Sequence, residues 1–280
     1  MRKINSGQIE AQVIALIRTA TFTLRDDVFS ALVSAGKRER LPRARHTIGI
    51  IKENVRIARI KELPICQDTG VAIVYLEIGQ EVYISGDPVA AAVQRAIAKA
   101  SKQFYLRKSI VKSPLERHNT GTNAPGIVHY RIVPGKKITV KVMLKGFGCE
   151  NKGKVYLFNP TASRSEIEEF ICTTVQEAGA NACPPFVVGV GIGGTLDAAA
   201  SLSKEVVFRK LSSKNRNKRL AAMERRIEKC VNRSGVGPLG FGGKTTILRV
   251  FIDEYPTHIA GLPVAVNINC HALRTAIATI

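Results

Sequence analysis

The sequence of 280 residues has no tryptophan, few aromatic residues and no long apolar segment. No apolar run approaches the roughly 20 residues that a membrane-spanning helix needs, so we expect no membrane span. The N-terminus begins with basic residues, but Gln8, Glu10 and Gln12 interrupt any apolar segment of the kind found in secretion signals. This interruption argues against a secretion signal and favours an amphipathic helix. A cytoplasmic location is therefore predicted.

Acidic residues are scarce relative to basic ones. The chain has 22 Asp and Glu against 42 Lys and Arg, a formal net charge of +20. Eleven basic residues lie between Lys204 and Arg233, and a second basic cluster lies between Lys37 and Arg45. Such an excess can attract nucleic acid or other anionic partners. Because few aromatic residues lie among these cations, specific nucleic-acid binding is the remoter alternative, and a solvated face or an interface with an acidic partner is favoured.

Closely spaced cysteine pairs are also absent, which excludes the usual zinc-finger and dithiol motifs. In a cytoplasmic protein of this length we expect no disulfide framework. Cys172 and Cys230 lie on predicted helices and are interpreted as small packing residues. By contrast, Cys66, Cys183 and Cys270 each lie where a predicted strand meets a loop. From spacing alone, these three can be structural thiols or ligands of a metal centre.

The composition is that of a globular protein, with 45% hydrophobic and 23% charged residues. Helical periodicity dominates from Ser6 to about Lys61, and strand-like segments begin after Pro64. We predict an α+β fold in a single domain over residues 1–280. Its helical N-terminal part covers about residues 6–62, and its sheets are mostly antiparallel with flanking helices.

Individual elements follow from local patterns. The segment 81–85 is predicted to form a hairpin with the strand 71–78, and Ser165 is predicted to cap the helix that follows it. The other predicted helices cover residues 88–104, 195–211 and 215–232, and the other predicted strands cover 127–132, 137–144, 186–190, 245–252 and 263–269.

The segment Gly189-Val-Gly-Ile-Gly-Gly194 matches the glycine spacing of a dinucleotide-binding loop. Such a loop requires a second parallel strand ending in an acidic residue about 20 residues later. A basic helical segment occupies that place instead. The glycines are therefore interpreted as sites of close backbone packing.

Four sequence blocks, taken together, resemble those of class I fumarases and of the α subunits of tartrate dehydratases. They occur in the order of that family, and the resemblance extends from about residue 6 to the end of the chain. The blocks are Pro64-Ile-Cys-Gln-Asp-Thr-Gly70, Gly146-Phe-Gly-Cys-Glu-Asn-Lys152, the segment from Ala182 to Thr195, and the segment from Ala260 to Cys270.

The resemblance implies a cofactor and a set of site residues. Cys66, Cys183 and Cys270 match the cysteines that hold a [4Fe-4S] cluster with one iron open to substrate. Cys149 stands where many relatives carry a small residue such as Ser, and it is not counted as a ligand. The residues matching positions at the substrate are Gln67, Asp68, Arg107, Gly148 and His258, and of these Gln67 and Asp68 also match the catalytic positions.

The implied roles suit the chemistry of a dicarboxylate. Arg107 offers a fork of donors to a carboxylate, and Asp68 offers a carboxylate base for proton transfer. The alternative interpretations are a turn residue for Asp68, a surface cation for Arg107 and an ordinary loop histidine for His258.

The reaction expected first is reversible hydration of fumarate to malate, and the alternative is dehydration of L-tartrate. The family's remaining acid–base groups lie in a second region, and this chain ends ten residues after Cys270. We therefore expect a β subunit as partner, in an αβ hetero-oligomer that contains an α dimer.

Overall fold

Helices form where the apolar spacing of the sequence predicts them, in a computed structural model that describes residues 1–280. Short 3-10 turns cover 180–182, 206–208 and 238–240. None of the helices is both long and apolar enough to cross a bilayer. The helices are α1 (Ser6–Phe22), α2 (Asp26–Arg38), α3 (Pro42–Lys61), α4 (Val89–Gln103), α5 (Phe147–Glu150), α6 (Arg164–Ala178), α7 (Leu196–Glu205) and α8 (Lys218–Asn232).

Ten strands form one two-stranded sheet, in which β1 pairs with β3, and two four-stranded sheets, with orders β10-β5-β2-β4 and β6-β9-β7-β8. The strands are β1 (Arg2–Asn5), β2 (Val71–Gly79), β3 (Val82–Ser85), β4 (Ile127–Val133), β5 (Ile138–Lys145), β6 (Lys154–Phe158), β7 (Phe186–Gly193), β8 (Ile247–Tyr255), β9 (Leu262–Asn269) and β10 (Thr275–Thr279).

The chain divides into two compact units. The first unit contains residues 1–25, 55–147 and 274–280, and the second contains residues 26–54 and 148–273. Helices and mixed sheets together confirm the predicted α+β class. That the whole chain acts as one domain stays a prediction.

The core of the first unit lies between its four-stranded sheet and helices α1 and α4. Ile9, Val13 and Ile17 lie on one face of α1, at the spacing of an amphipathic helix, and are almost completely buried. The helix begins at a capping box: the Asn5 side chain accepts from Gly7 N, and the Gln8 side chain accepts from Asn5 N. This cap fixes where α1 starts and which face it buries.

A buried carboxylate joins α1 to α4. Glu10, 8% exposed, accepts hydrogen bonds from Lys99 Nζ at 2.5 Å and from Arg95 Nε at 3.1 Å. The Lys99 hydrogen bond, reinforced by Arg95, lowers the pKa of Glu10 below its ordinary value, although burial opposes the shift.

The core of the second unit lies between helices α6 and α8 and one face of the sheet β6-β9-β7-β8. On the opposite face, α7 lies directly against two glycines of β7. A Cβ on Gly189 would lie 2.0 Å from the Ser203 carbonyl oxygen, and one on Gly191 would lie 2.2 Å from that of Ala199. The glycines therefore permit close packing of a helix on a strand, as the sequence interpretation proposed, rather than forming a loop around a phosphate.

Two glutamates of the basic helix α8 cover the outer edge of that sheet. Strand β8 is an edge strand, whose outer N–H groups need partners. Ile252 N donates to Glu224 and Val250 N donates to Glu228, each at 3.0 Å. Burial raises the pKa of Glu228 above its ordinary value, although the Val250 hydrogen bond and Arg249 oppose the shift.

Several predicted local details are wrong. Strand β3 pairs in parallel with β1 instead of forming a hairpin with β2, and β2 lies between β4 and β5. Helix α6 is capped by Ser163 rather than Ser165, because Ser163 forms a capping box with Glu166. Strands β1, β6 and β10 had not been predicted.

Candidate active site

The loop that contains Cys66, Gln67 and Asp68 leads into β2 in the first unit. Ile65 N donates to the Thr21 carbonyl at 3.0 Å, which anchors the start of the loop. Gly70, with φ of 72°, closes it against the end of β5, where a Cβ would lie 2.2 Å from the Lys145 carbonyl oxygen. Only glycine fits there without strain. Cys66 is half-buried and the Gln67 side chain is exposed.

Two backbone N–H groups hold the Asp68 carboxylate. Gly70 N donates to Oδ1 at 2.9 Å, and Phe147 N donates to Oδ2 at 2.8 Å. Hydrogen bonds to an ionised carboxylate are stronger than those between neutral groups. The interpretation of Asp68 as a turn residue is thus partly correct, since its bond to Gly70 forms an Asx turn. Its bond to Phe147 goes further, because it joins this loop to the sequence block Gly146–Lys152.

Cys183 and Cys270 lie at the same end of two paired strands in the second unit. Strands β7 and β9 are antiparallel, with Val187 opposite Asn269. Cys183 precedes β7 and Cys270 follows β9, so the pairing brings both segments to one sheet end. His271 Nδ1 lies 3.1 Å from the Cys183 carbonyl oxygen. Cys183 is exposed and Cys270 is half-buried.

The sulfur atoms of the other three cysteines form bonds within the second unit. Cys149 is buried, and its Sγ donates to the Ala182 carbonyl at 3.1 Å. Cys172 of α6 and Cys230 of α8 form a disulfide with a Cα–Cα distance of 6.3 Å. The expectation that these two are separate thiols was wrong, because their helices pack side by side, and such pairing of distant cysteines cannot be deduced from sequence alone.

Arg107 lies in the loop after α4 in the first unit, and its side chain is exposed without a carboxylate partner. The loop is shaped by the buried Asn123, whose Nδ2 donates to the Arg107 carbonyl at 2.9 Å and whose Oδ1 accepts from Ser109 N at 2.6 Å. The guanidinium of Arg107 therefore projects from a fixed loop and is available to an anion.

His258 and Gly148 belong to the second unit. His258 is exposed in the turn between β8 and β9, and its Nδ1 accepts from Ala260 N at 3.1 Å. That bond leaves Nε2 for another partner. A Cβ on Gly148 would meet only the Asn181 carbonyl oxygen, at 3.9 Å, so packing within the chain does not require glycine there. Within neither unit do three or more His, Cys, Asp or Glu side chains form a metal-binding group.

Comparison with known proteins decides the family. The sequence model described as fumarate hydratase (Fumerase) matches residues 10–279. The chain belongs to this family. It is 36% identical to the putative L(+)-tartrate dehydratase subunit alpha of Methanocaldococcus jannaschii, over 96% of each chain. It is 28% identical to the L(+)-tartrate dehydratase subunit alpha of Escherichia coli K12, over 95% of this chain and 88% of that protein.

Membership of the fumarate hydratase family makes the chain a hydro-lyase and confirms the resemblance stated from the four sequence blocks. The sequence reasoning missed three residues beside the matched positions: Arg274, Asn123 and His271. His271 directly follows the predicted ligand Cys270. Arg274 gave no local signal, because its partners lie about 205 residues away in the chain.

Proposed function

We propose that the chain is the α subunit of an L(+)-tartrate dehydratase, which removes water from L-tartrate to give oxaloacetate. The observation that carries the proposal is the 36% identity over 96% of the chain to a protein named as such a subunit. Fumarate hydration is the second candidate, and the description of the matching family favours it.

The cysteines outside the disulfide suit the iron–sulfur cluster that the family implies. Of these four, Cys149 is the buried one. The other three, Cys66, Cys183 and Cys270, are exposed or half-buried and lie in segments next to strands. Thiolates are the usual ligands of such clusters, and we assign these three as the ligands. When bound, a cluster held by three cysteines supplies a Lewis-acidic coordination position for the substrate.

The protein's own groups account for the rest of the reaction. The Asp68 carboxylate, fixed by two backbone donors, removes the proton from one carbon of L-tartrate. The hydroxyl of the neighbouring carbon takes up a proton from an acid group of the β subunit and leaves as water, and the enol formed rearranges to oxaloacetate. Arg107 and His258 supply cationic and hydrogen-bonding groups for the two carboxylates, Gln67 orients the substrate, and Gly148 leaves space for it.

A β subunit supplies the groups that complete this site. The relatives that match nearly the whole chain are named as alpha subunits, which supports this division. The predicted α dimer remains part of the same proposal.

The substrate is tested by comparing kcat/KM for L-tartrate and for fumarate with anaerobically purified αβ enzyme. We expect L-tartrate to be preferred, and a clear preference for fumarate would establish the second candidate. Turnover of neither dicarboxylate would overturn the proposed function.

The ligand set is tested by iron and sulfide content per chain after anaerobic reconstitution. Replacing Cys66, Cys183 or Cys270 individually with Ala should lower cluster content sharply. The matched control is Cys149→Ala, which should retain the wild-type content because the Cys149 thiol is occupied by the Ala182 carbonyl. Equal loss in the control and in the three variants would refute the assignment.

A further inference from the structure

Arg274 is a buried cation next to the loop that carries Asp68. It lies in the first unit and is 6% exposed. Its carbonyl accepts from Leu144 N at 2.9 Å, which fixes its backbone beside the end of β5. A buried guanidinium costs desolvation free energy unless its donors are used, so its contacts need an explanation.

The guanidinium binds the backbone of the Asp68 loop. Nη1 donates to the carbonyl oxygens of Asp68 and Thr69, the latter at 3.3 Å. Nε is buried without a hydrogen-bond partner, and no carboxylate lies within ion-pair distance of the side chain. Arg274 is therefore directed at the peptide groups of this one loop and does not form a conventional ion pair.

Both side chains lie close to Gly146. The position that a Cβ on Gly146 would occupy lies 3.0 Å from Asp68 Oδ2 and 3.1 Å from Arg274 Nη2. The carboxylate and the guanidinium thus both lie against the position where a side chain of residue 146 would stand. Phe147, the next residue, donates its N–H to the same Asp68 oxygen.

We propose that Arg274 is a positioning residue for proton transfer: it holds the Asp68 loop so that the carboxylate meets the substrate in a fixed orientation. Gly146 contributes to this positioning, because its lack of a side chain leaves room for both the carboxylate and the guanidinium. This inference rests on the role proposed above for Asp68.

Two substitutions test the positioning of Asp68 by Arg274 and Gly146 in different ways. Arg274→Lys keeps the charge but loses the planar guanidinium whose Nη1 donates to both carbonyls. Gly146→Ala removes no functional group, yet its Cβ forces Asp68 and Arg274 to shift by a few tenths of an ångström. The matched control is Gly49→Ala, since a Cβ on Gly49 meets nothing within 4 Å.

In active αβ enzyme, Arg274→Lys should lower kcat by about 10²-fold with little change in KM, since a misplacement on the order of 1 Å can cost that much. Gly146→Ala should give a smaller loss of the same kind, and Gly49→Ala should give none. Wild-type kcat in both test variants would overturn the inference while leaving the proposed function intact.

A second measurement does not depend on activity. In the full chain labelled with ¹⁵N-phenylalanine, the Phe147 amide reports its hydrogen bond to Asp68. We expect a changed chemical shift and faster hydrogen exchange of this amide in Arg274→Lys and Gly146→Ala, and wild-type behaviour in Gly49→Ala. An unchanged Phe147 amide in both test variants would overturn the inference even if neither dicarboxylate is turned over.

Discussion

At the scale of single residues, Asp68 shows how a short motif becomes a chemical group with one orientation. The sequence places it two residues after a predicted ligand and two before a glycine. The fold then adds donors from Gly70, Phe147 and Arg274, of which only Gly70 is near in sequence. The motif predicts which residue carries the charge, but its orientation depends on contacts that no local pattern encodes.

Replacing Asp68 with Asn should separate catalysis from assembly. The amide retains an acceptor for one backbone N–H but cannot take a proton, so the rate should fall by about 10²–10⁴-fold, the usual contribution of an acid–base group. Initial rates and iron content of the αβ enzyme are the two measurements. Wild-type rate in Asp68→Asn would remove Asp68 from the mechanism, and loss of iron would indicate a structural role.

The buried Glu10 and the half-buried Glu228 predict opposite pH dependences of stability. The pKa of Glu10 is lowered in the folded protein, so its contribution is present above its ordinary value of 4.5 and is lost as the pH falls through the lowered pKa. The pKa of Glu228 is raised, so its contribution is present at low pH and is lost as the pH rises through the raised pKa.

These two pH dependences are checked by measuring the denaturant midpoints of Glu10→Gln and Glu228→Gln as a function of pH. The destabilisation caused by Glu10→Gln should be largest near neutral pH and shrink in acid. Glu228→Gln should match the wild type in acid and become the more stable protein as the pH rises. Parallel curves for the two variants would contradict the assigned environments.

At the scale of secondary-structure elements, periodicity predicted most helices and several strands because their burial is regular. Helix α1 and strand β2 are examples, with apolar residues on the faces that the core covers. The pairing of strands was not predictable in the same way. The adjacent segments 71–78 and 81–85 were predicted to form a hairpin, yet β3 pairs with β1, which lies about 80 residues earlier in the chain.

The cysteines also show that local positions are predictable from the sequence whereas pairings between distant residues are not. The strand-end positions of Cys183 and Cys270 could be read from the sequence, and the β7–β9 pairing brings those strand ends to one side of the sheet. The bond between Cys172 and Cys230 could not be read, because it depends on how α6 packs against α8.

The Cys172–Cys230 disulfide should stabilise the second unit. It closes a loop with a sequence separation of 58 residues, for which the chain-entropy estimate is about 4 kcal/mol. The double variant Cys172→Ala/Cys230→Ala should therefore unfold at a lower denaturant concentration, while its cluster content stays at the wild-type level. Treating the wild type with a thiol reductant under the same conditions is the control and should reproduce the loss of stability. An unchanged midpoint in both would mean that the bond contributes nothing in solution.

At the scale of the whole molecule, the net charge of +20 means that many basic side chains have no carboxylate to pair with. In the second unit, a cavity of about 310 Å³ is lined by Arg38, Arg40 and Lys244, and none of these three forms an ion pair with a carboxylate. The buried Glu39 between the two arginines instead accepts from Lys244 N and Thr245 N. Such a surface suits an anionic substrate or an acidic partner, and its role stays a prediction.

The central claim is that this chain supplies one part of an iron–sulfur hydro-lyase site and that a β subunit supplies the rest. The most direct test is L-tartrate dehydration by the anaerobically reconstituted chain, assayed with and without a candidate β subunit. We predict a cluster-bearing chain with little activity alone and a gain of at least about 10²-fold when β is added, as expected for the return of an acid–base group. Full activity of the isolated chain would contradict the division of the site between two subunits.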